Sequence, residues 1–464
     1  MNFKFQFGVA VLIYCVFICS PLSAAEGTGA WSVGVARIDI TPTDSLWLAG
    51  YASRDHGADS AMHSLWIKAL VLRDGADETG VILTSDLLGF PQRLSNDIRD
   101  ALQSTYGFDR RQIILSSSHT HSGPVLQDAL YDIYPLDDAQ KQNIADYSEQ
   151  LKYDIIRVVG LALGDMQPAR LTADNGVVRF QVNRRNNKAS TLKAQTALKG
   201  PNDFAVPVLQ IRHPDGSLRA VLFGYACHAT VLNGDEWSGD YPGFAQIEIE
   251  RNFPGVTALF FQGCGADLNP LPRRTIGLAR QYGRELAAAV ENVVDSGGEV
   301  VPADLQMAYE EVDLAFADPP SLESLQRLGV SGNDYQKRWA VRMLRAIENG
   351  DLLASSWPYP VQVWNLGGQA LFALGGEVVV DYVIQLKRLF GQDVFVMAYA
   401  NDVMGYIPST RVLREGGYEG LTSQIVYGLP AAWEADIEAR IISTALRMAE
   451  VAGIKMPQEQ LVGE

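Results

Sequence analysis

Ser116-Ser117-Ser118-His119-Thr120-His121-Ser122-Gly123-Pro124 is the stretch on which the reading of this chain turns. It follows Ile113-Ile114-Leu115, an apolar run of the kind that forms a buried strand. Alternate residues of a strand point to the same face. His119 and His121 are therefore expected to aim the same way from the strand end, before Gly123-Pro124 turns the chain. Neutral imidazole is a common metal ligand, so the pair is a candidate half of a metal site. Taken alone it reads equally well as two hydrogen-bonded histidines in a turn.

The elements around this stretch alternate. Residues 31–40, 65–73 and 81–85 read as strands, and 91–106 has helical periodicity. Beyond it, 138–163 reads as a helix, 169–182 as a strand, and 206–212 with 218–227 as a hairpin. Helices are expected at 241–252 and 274–293 with a strand at 256–261 between them. Then come a strand at 305–314, one long helical region at 321–349, two strands around Gly367-Gly368, a helix at 378–390, a strand at 394–398 and a closing helix at 431–452. This mixture predicts an α/β (α+β) fold with mixed sheets and flanking helices.

Composition sets outer limits. With 464 residues, 47% hydrophobic and 20% charged, the chain is long enough for a sizeable core. A formal net charge of -16 argues against nucleic acid and anionic lipid headgroups as main partners, since both need a positive footprint. Lys4, an apolar core over 9–18 and Ser23-Ala24-Ala25 predict a signal peptide over residues 1–25. An uncleaved anchor is the alternative. No later stretch is long and apolar enough to span a bilayer. The expected product is an exported protein, periplasmic or secreted, with residues 26–464 as a single domain. Cys227 and Cys264 remain after cleavage. An oxidising compartment lets such a pair form a disulfide, and the sequence leaves that open.

Three of the six histidines sit at apparent strand ends: His119, His121 and His228, the last in Tyr225-Ala226-Cys227-His228-Ala229-Thr230. Glu377 follows Leu371-Phe372-Ala373-Leu374-Gly375-Gly376, where a strand breaks into glycines and a helix is expected to open. Tyr406 lies in Asn401-Asp402-Val403-Met404-Gly405-Tyr406-Ile407-Pro408. A zinc site takes nitrogen and oxygen ligands, and a catalytic one keeps a position for water. Each residue also has a plain structural reading. Glu377 suits a helix N-terminus, and Tyr406 suits a buried phenol. His213, before Pro-Asp-Gly, is a turn residue. His56 and His63, in a polar loop, are expected to be non-ligands. Asp86 and Asp240 are candidate partners that orient ligand imidazoles.

The ordered set Gly50-Tyr51-Ala52, Ser118-His119-Thr120-His121-Ser122-Gly123-Pro124, Asn183-Arg184, Cys227-His228-Ala229-Thr230, Gly239-Asp240-Tyr241-Pro242-Gly243, Gln262-Gly263-Cys264-Gly265-Ala266-Asp267-Leu268-Asn269-Pro270, Gly376-Glu377 and Gly405-Tyr406 resembles the neutral/alkaline (non-lysosomal) ceramidase family over about residues 32–450. The resemblance implies a Zn2+ ion held by His119, His228, Glu377 and Tyr406 at a site built from strand ends and loops. It implies His121 as the acid/base residue, Arg184 at the substrate or its oxyanion, and Tyr418 near the scissile carbonyl. The expected activity is that of a zinc-dependent amidohydrolase. It would cleave an amide of an N-acylated, ceramide-like lipid, or of another small amide or ester, through a metal-activated water, with peripheral contact to a lipid surface.

Two departures stand out. Asn269 occupies the place of the family's serine, and the chain ends where the family continues into a β-sandwich-like C-terminal domain. They keep alternatives in play: a zinc esterase or deacetylase acting on a polar or saccharide substrate, or a non-catalytic binding protein with a relict site. The sequence is silent on oligomeric state.

Overall fold

The computed structural model describes Met1 and residues 30–456 of the chain. The predicted signal peptide falls almost wholly outside the described residues. The largest sheet has nine strands. Its order is Thr257–Gln262, Leu218–Tyr225, Ala205–Arg212, Gln167–Val177, Trp31–Asp39, Trp66–Arg73, Thr79–Ser85 and Ile113–Ser117, with Glu299–Val301 paired to Gln167–Val177. A second sheet of four strands runs Leu305–Ala315, Ser356–Leu366, Gln369–Leu374, Phe395–Met397. Both sheets mix parallel and antiparallel pairs, as the alternation of elements predicts.

Side-chain alternation along the strands shows how the layers stack. In Thr79–Ser85, Ile82 faces a cluster shared with Trp364, Leu371, Phe395 and Met397 of the second sheet. Its neighbours Val81 and Leu83 face the other way, onto the helices Gln92–Tyr106 and Asp138–Gly164. The opposite half of the large sheet is covered by Asp240–Asn252 and Ile276–Ser296, which pack over Val221, Phe223, Ala258 and Phe260. Asp381–Phe390 and Ile437–Val451 cover the second sheet. The result is four layers, helix, sheet, sheet, helix, with an apolar core between the sheets. Trp364, Leu371 and Phe261 are fully buried there, and each such side chain contributes about 1.5–3 kcal/mol of burial free energy.

Two strand–helix–strand units place the histidines. Thr79–Ser85 and Ile113–Ser117 pair in parallel around Gln92–Tyr106. Leu218–Tyr225 and Thr257–Gln262 pair in parallel around Asp240–Asn252. In open α/β sheets ligand sites lie beyond the carboxyl ends of such strands. His119 and His228 follow the carboxyl ends of Ile113–Ser117 and Leu218–Tyr225. The sheets are tied together at this end: Asn401 N–H donates to Leu115 O at 2.7 Å, and the Asn401 carboxamide accepts from Leu115 N–H at 3.0 Å.

Several boundaries differ from the sequence reading. The region 321–349 is two helices, Leu322–Ser331 and Asp334–Glu348. Asn333 stops propagation by capping the second one, with Gln336 closing the capping box. The strand read over 169–182 breaks after Val177 and resumes as Gln181–Asn183, which pairs with Leu268–Pro270 instead. The closing helix begins only at Ile437. Before it the Trp433 indole donates to Tyr406 O at 2.8 Å, which holds that segment as an irregular brace.

Candidate active site

The strand Ile113–Ser117 ends before either histidine, so strand alternation does not aim them. His119 has φ 56°, in the left-handed region, a costly conformation for a side chain of this size. That backbone turns its ring inward. His121 then reaches the same point from the following loop, with its Nε2 3.3 Å from His119 Nε2. His228 comes from the second strand–helix–strand unit. The ring nitrogens of His119, His121 and His228 form a group able to hold a metal ion.

Glu377 does not open a helix. It lies in a two-residue strand, Glu377–Val378, paired in parallel with Tyr406–Ile407, and Glu377 stands directly opposite Tyr406. The helix begins four residues later, at Asp381. This small pair delivers both side chains to the histidines. Glu377 Oε2 lies 3.2 Å from His119 Nε2 and 3.0 Å from His228 Nε2. Tyr406 Oη lies 3.3 Å from His228 Nε2.

The hydrogen-bond pattern shows which atoms carry lone pairs. His119 Nδ1 donates to Leu88 O at 2.7 Å, and His228 Nδ1 donates to Gly265 O at 2.8 Å. A neutral imidazole that donates through Nδ1 presents an acceptor at Nε2. Burial, with Arg184 adding to it, lowers the pKa of His228 to about 4, so this ring is neutral at ordinary pH. Glu377 Oε2 is buried and has no hydrogen-bond partner of its own. Two imidazole lone pairs and an unpartnered carboxylate oxygen thus converge on one point. That arrangement repels itself unless a cation lies between, and the donor types fit a divalent metal.

Several residues around this cluster carry no signal in the sequence. Tyr427 donates its hydroxyl to Glu377 Oε1 at 2.5 Å. Tyr399, at φ 53°, sets its ring 4.3 Å from that of His119 at a 36° tilt. Tyr51, inside a quoted motif, lies 4.7 Å from the His121 ring. Burial, then His119, pushes the His121 pKa well below its ordinary value. The partners that orient the His119 and His228 imidazoles are backbone carbonyls, not Asp86 and Asp240. Asp86 accepts from Trp66 N–H, and Asp240 accepts from the backbone of Val231, Leu232 and Tyr241. Both build loops behind the site. His56 bonds Asp55 at the surface, and His63 meets Ser238, away from the cluster.

Arg184 and Tyr418 lie on the open side. Arg184 Nη2 donates to Tyr406 Oη at 3.1 Å, and its Nε donates to Glu419 Oε1 at 2.7 Å. Tyr418 is 42% exposed, with its ring 5.2 Å from that of Tyr406. Asn269 accepts from Arg184 Nη1 at 3.4 Å. Arg184, Tyr418 and Asn269 share the wall of a pocket of about 480 Å3. Cys227 and Cys264 are separate buried thiols and form no disulfide. They belong to different parts of the core, Cys227 under the helices of the large sheet and Cys264 under those of the second sheet. Among the described residues, no helix is long and apolar enough to cross a membrane.

Comparisons with known proteins bear on the family and the fold. The family described as "Neutral/alkaline non-lysosomal ceramidase, N-terminal" matches residues 31–271. The chain is 25% identical to the neutral ceramidase of Pseudomonas aeruginosa over 275 residues, 56% of this chain and 40% of that protein. It is 26% identical to neutral ceramidase B of Dictyostelium discoideum over 272 residues, 54% of this chain and 37% of that protein. The chain thus spans less than half the length of these curated relatives. The crystal structure of the Pseudomonas aeruginosa neutral ceramidase superposes with a TM-score of 0.70 at 19% identity, covering 94% of this chain and 77% of that one. The fold is therefore shared well beyond the segment that the family match covers. On these grounds the chain belongs to the neutral/alkaline non-lysosomal ceramidase family.

Proposed function

We propose that this protein is an exported zinc-dependent hydrolase that cleaves the amide bond of an N-acylated, ceramide-like substrate. The observation that carries the proposal is the convergence of His119 Nε2, His228 Nε2 and the unpartnered Glu377 Oε2 on one buried point. His119, His228, Glu377 and Tyr406 would hold the ion. When bound, zinc polarises a carbonyl and makes water a competent nucleophile near neutral pH.

The chain's own residues supply the rest. His121, kept neutral by burial, stands beside the ligands without a protein partner for its Nδ1. It is free to take a proton from the attacking water and return one to the leaving amine. Charge builds on the carbonyl oxygen during attack, and fixed donors stabilise it. Arg184, held by Glu419, and Tyr418 are the donors on the open side. The curated relatives are named for ceramide hydrolysis, which supports an N-acylated substrate here.

Asn269 favours a second reading. It puts a carboxamide beside Arg184 where the family resemblance leads one to expect a serine hydroxyl. A polar substrate, hydrolysed by a zinc esterase or deacetylase, fits that change.

Metal analysis of the purified protein tests the centre: one zinc per chain is expected, with His119→Ala and Glu377→Ala each losing it. Full occupancy in both variants would sink the assignment. A panel of N-acyl sphingoid lipids, N-acyl amino acids and acetylated sugars then separates the two substrate readings.

A further inference from the structure

The chain as a whole is strongly acidic, yet the pocket at the mouth of the site is cationic. Its wall holds Arg184, Arg185 and Arg273 against one carboxylate, Glu419. Two of these arginines are matched. Arg184 bonds Glu419 at 2.7 Å, and Arg185 bonds Glu419 at 2.6 Å and Glu415 at 2.9 Å. Arg273 makes no salt bridge among the described residues. Its Nη1 donates to Thr230 Oγ1 at 3.0 Å, two residues beyond His228. No other side-chain hydrogen bond of Arg273 is made within the described residues. The residue is only half-exposed. Burial, and then neighbouring Arg274, lower its affinity for its own proton, as expected of a cation short of a counter-ion. Arg274 is also without a carboxylate, turned instead onto Tyr51 Oη at 2.7 Å. Asn269 lies on the same wall, with its amide nitrogen unused by any protein acceptor described.

A half-buried guanidinium is costly to leave unmatched. Its planar fork pairs best with a carboxylate, phosphate or sulfonate. We propose that Arg273, with Asn269 beside it, binds an anionic group on the substrate, so that the preferred substrate is an N-acyl compound with a negatively charged head, such as an N-acyl amino acid. The inference rests on the amidohydrolase reading above, keeps its N-acyl amide and replaces the uncharged ceramide-like head with an anionic one. Arg184 bridges the two regions: it touches Tyr406 at the metal cluster and Asn269 in the pocket. On this proposal an amide held at the cluster would turn its amine-side substituent toward Arg273.

The test compares N-dodecanoylglycine with uncharged N-dodecanoylglycinamide, using zinc-loaded full-length protein and following the released amine. The wild type is expected to favour the glycine compound in kcat/KM by about tenfold or more, the scale of one charge-assisted hydrogen bond. Arg273→Gln should reduce that preference about tenfold, mainly through KM, and Arg273→Lys should restore part of it. A wild type with no preference, or an Arg273→Gln that keeps it, overturns the proposal while leaving the hydrolase reading intact. Activation of glycinamide hydrolysis by phosphatidylglycerol vesicles, lost in Arg273→Gln, would assign the arginine to a lipid surface and equally overturn it. If neither amide is cleaved although N-acyl sphingoid lipids are, the proposal falls and the hydrolase reading stands; if the sphingoid lipids are not cleaved either, the hydrolase reading fails. Calorimetric binding of N-dodecanoylglycine then decides: binding weakened about tenfold by Arg273→Gln supports the anion site, and equal or absent binding rejects it.

Discussion

Replacing Tyr427 with phenylalanine removes one oxygen and leaves the ring. That oxygen donates to Glu377 Oε1 at 2.5 Å in a buried setting. Burial, and then Glu377, hold the Tyr427 hydroxyl well above its usual pKa, so it remains a donor throughout any practical pH range. Two independent scales bound the effect. A hydrogen bond to an ionised group contributes about 1.5–3 kcal/mol. Loss of an outer partner to a metal-ligating side chain typically weakens metal binding about 10- to 100-fold, which is about 1.4–2.7 kcal/mol. The ranges overlap, so Tyr427→Phe should weaken zinc affinity about 10- to 100-fold. Competition against a chromophoric chelator measures it, with thermal unfolding of the metal-free form confirming that the fold is retained. Affinity within twofold of the wild type in a folded variant would show that Tyr427 does not orient Glu377, and the hydrogen-bond reasoning would fail with it.

Other consequences can be measured in the same preparations. Gly50 has φ 100°, and a Cβ there would lie 2.3 Å from His121 Nδ1. Gly50→Ala should therefore displace His121 and cut kcat about 100-fold while zinc stoichiometry stays at one; unchanged turnover would remove His121 from the reaction. Asp402 is buried, and burial raises its pKa from 3.8 to about 7. The folded chain then keeps a proton that the unfolded chain releases, so stability falls as pH rises from about 4 to 7 and levels off above, by about 1.4 kcal/mol per pH unit. Asp402→Asn lacks this slope, and its stability relative to wild type should rise by about 3 kcal/mol between pH 5 and pH 8 in urea titrations. Parallel profiles would contradict the assignment. Cys227 and Cys264 should resist a thiol reagent in the native protein and react once it is unfolded; protection that survives unfolding would indicate a disulfide.

Much of the scaffold is legible in the chain because long runs of alternating or continuous apolar residues leave little choice. The strands Trp66–Arg73 and Thr79–Ser85 and the helix Asp138–Gly164 are of this kind. His119, His121, His228, Glu377, Tyr406 and Arg184 are brought together, although they span nearly 300 positions of sequence. The local reasons for their placement are less legible. His119 is aimed by a left-handed backbone and Glu377 by a two-residue strand, and neither leaves a periodic trace. Tyr427 and Tyr399 owe their positions to chain crossings that no local pattern encodes. Backbone carbonyls orient the imidazoles of His119 and His228, and a sequence read by side-chain type has no means of naming Leu88 and Gly265 for that task.

The pairing of Glu377 with Tyr406 has a mechanical consequence. His119 and His228 belong to loops of the nine-stranded sheet, whereas Glu377 and Tyr406 come from the segments that follow and flank the four-stranded one. An ion bound by all four is a rivet through both slabs of the molecule. Ligand binding stabilises only the state that binds it, so the rivet rewards correct closure of the two slabs against each other. Without it the slabs are held by the apolar core between the sheets and by the Asn401–Leu115 hydrogen bonds; with it they would gain one further tie. The same four atoms that would serve chemistry therefore also report whether the two halves of the chain have met correctly.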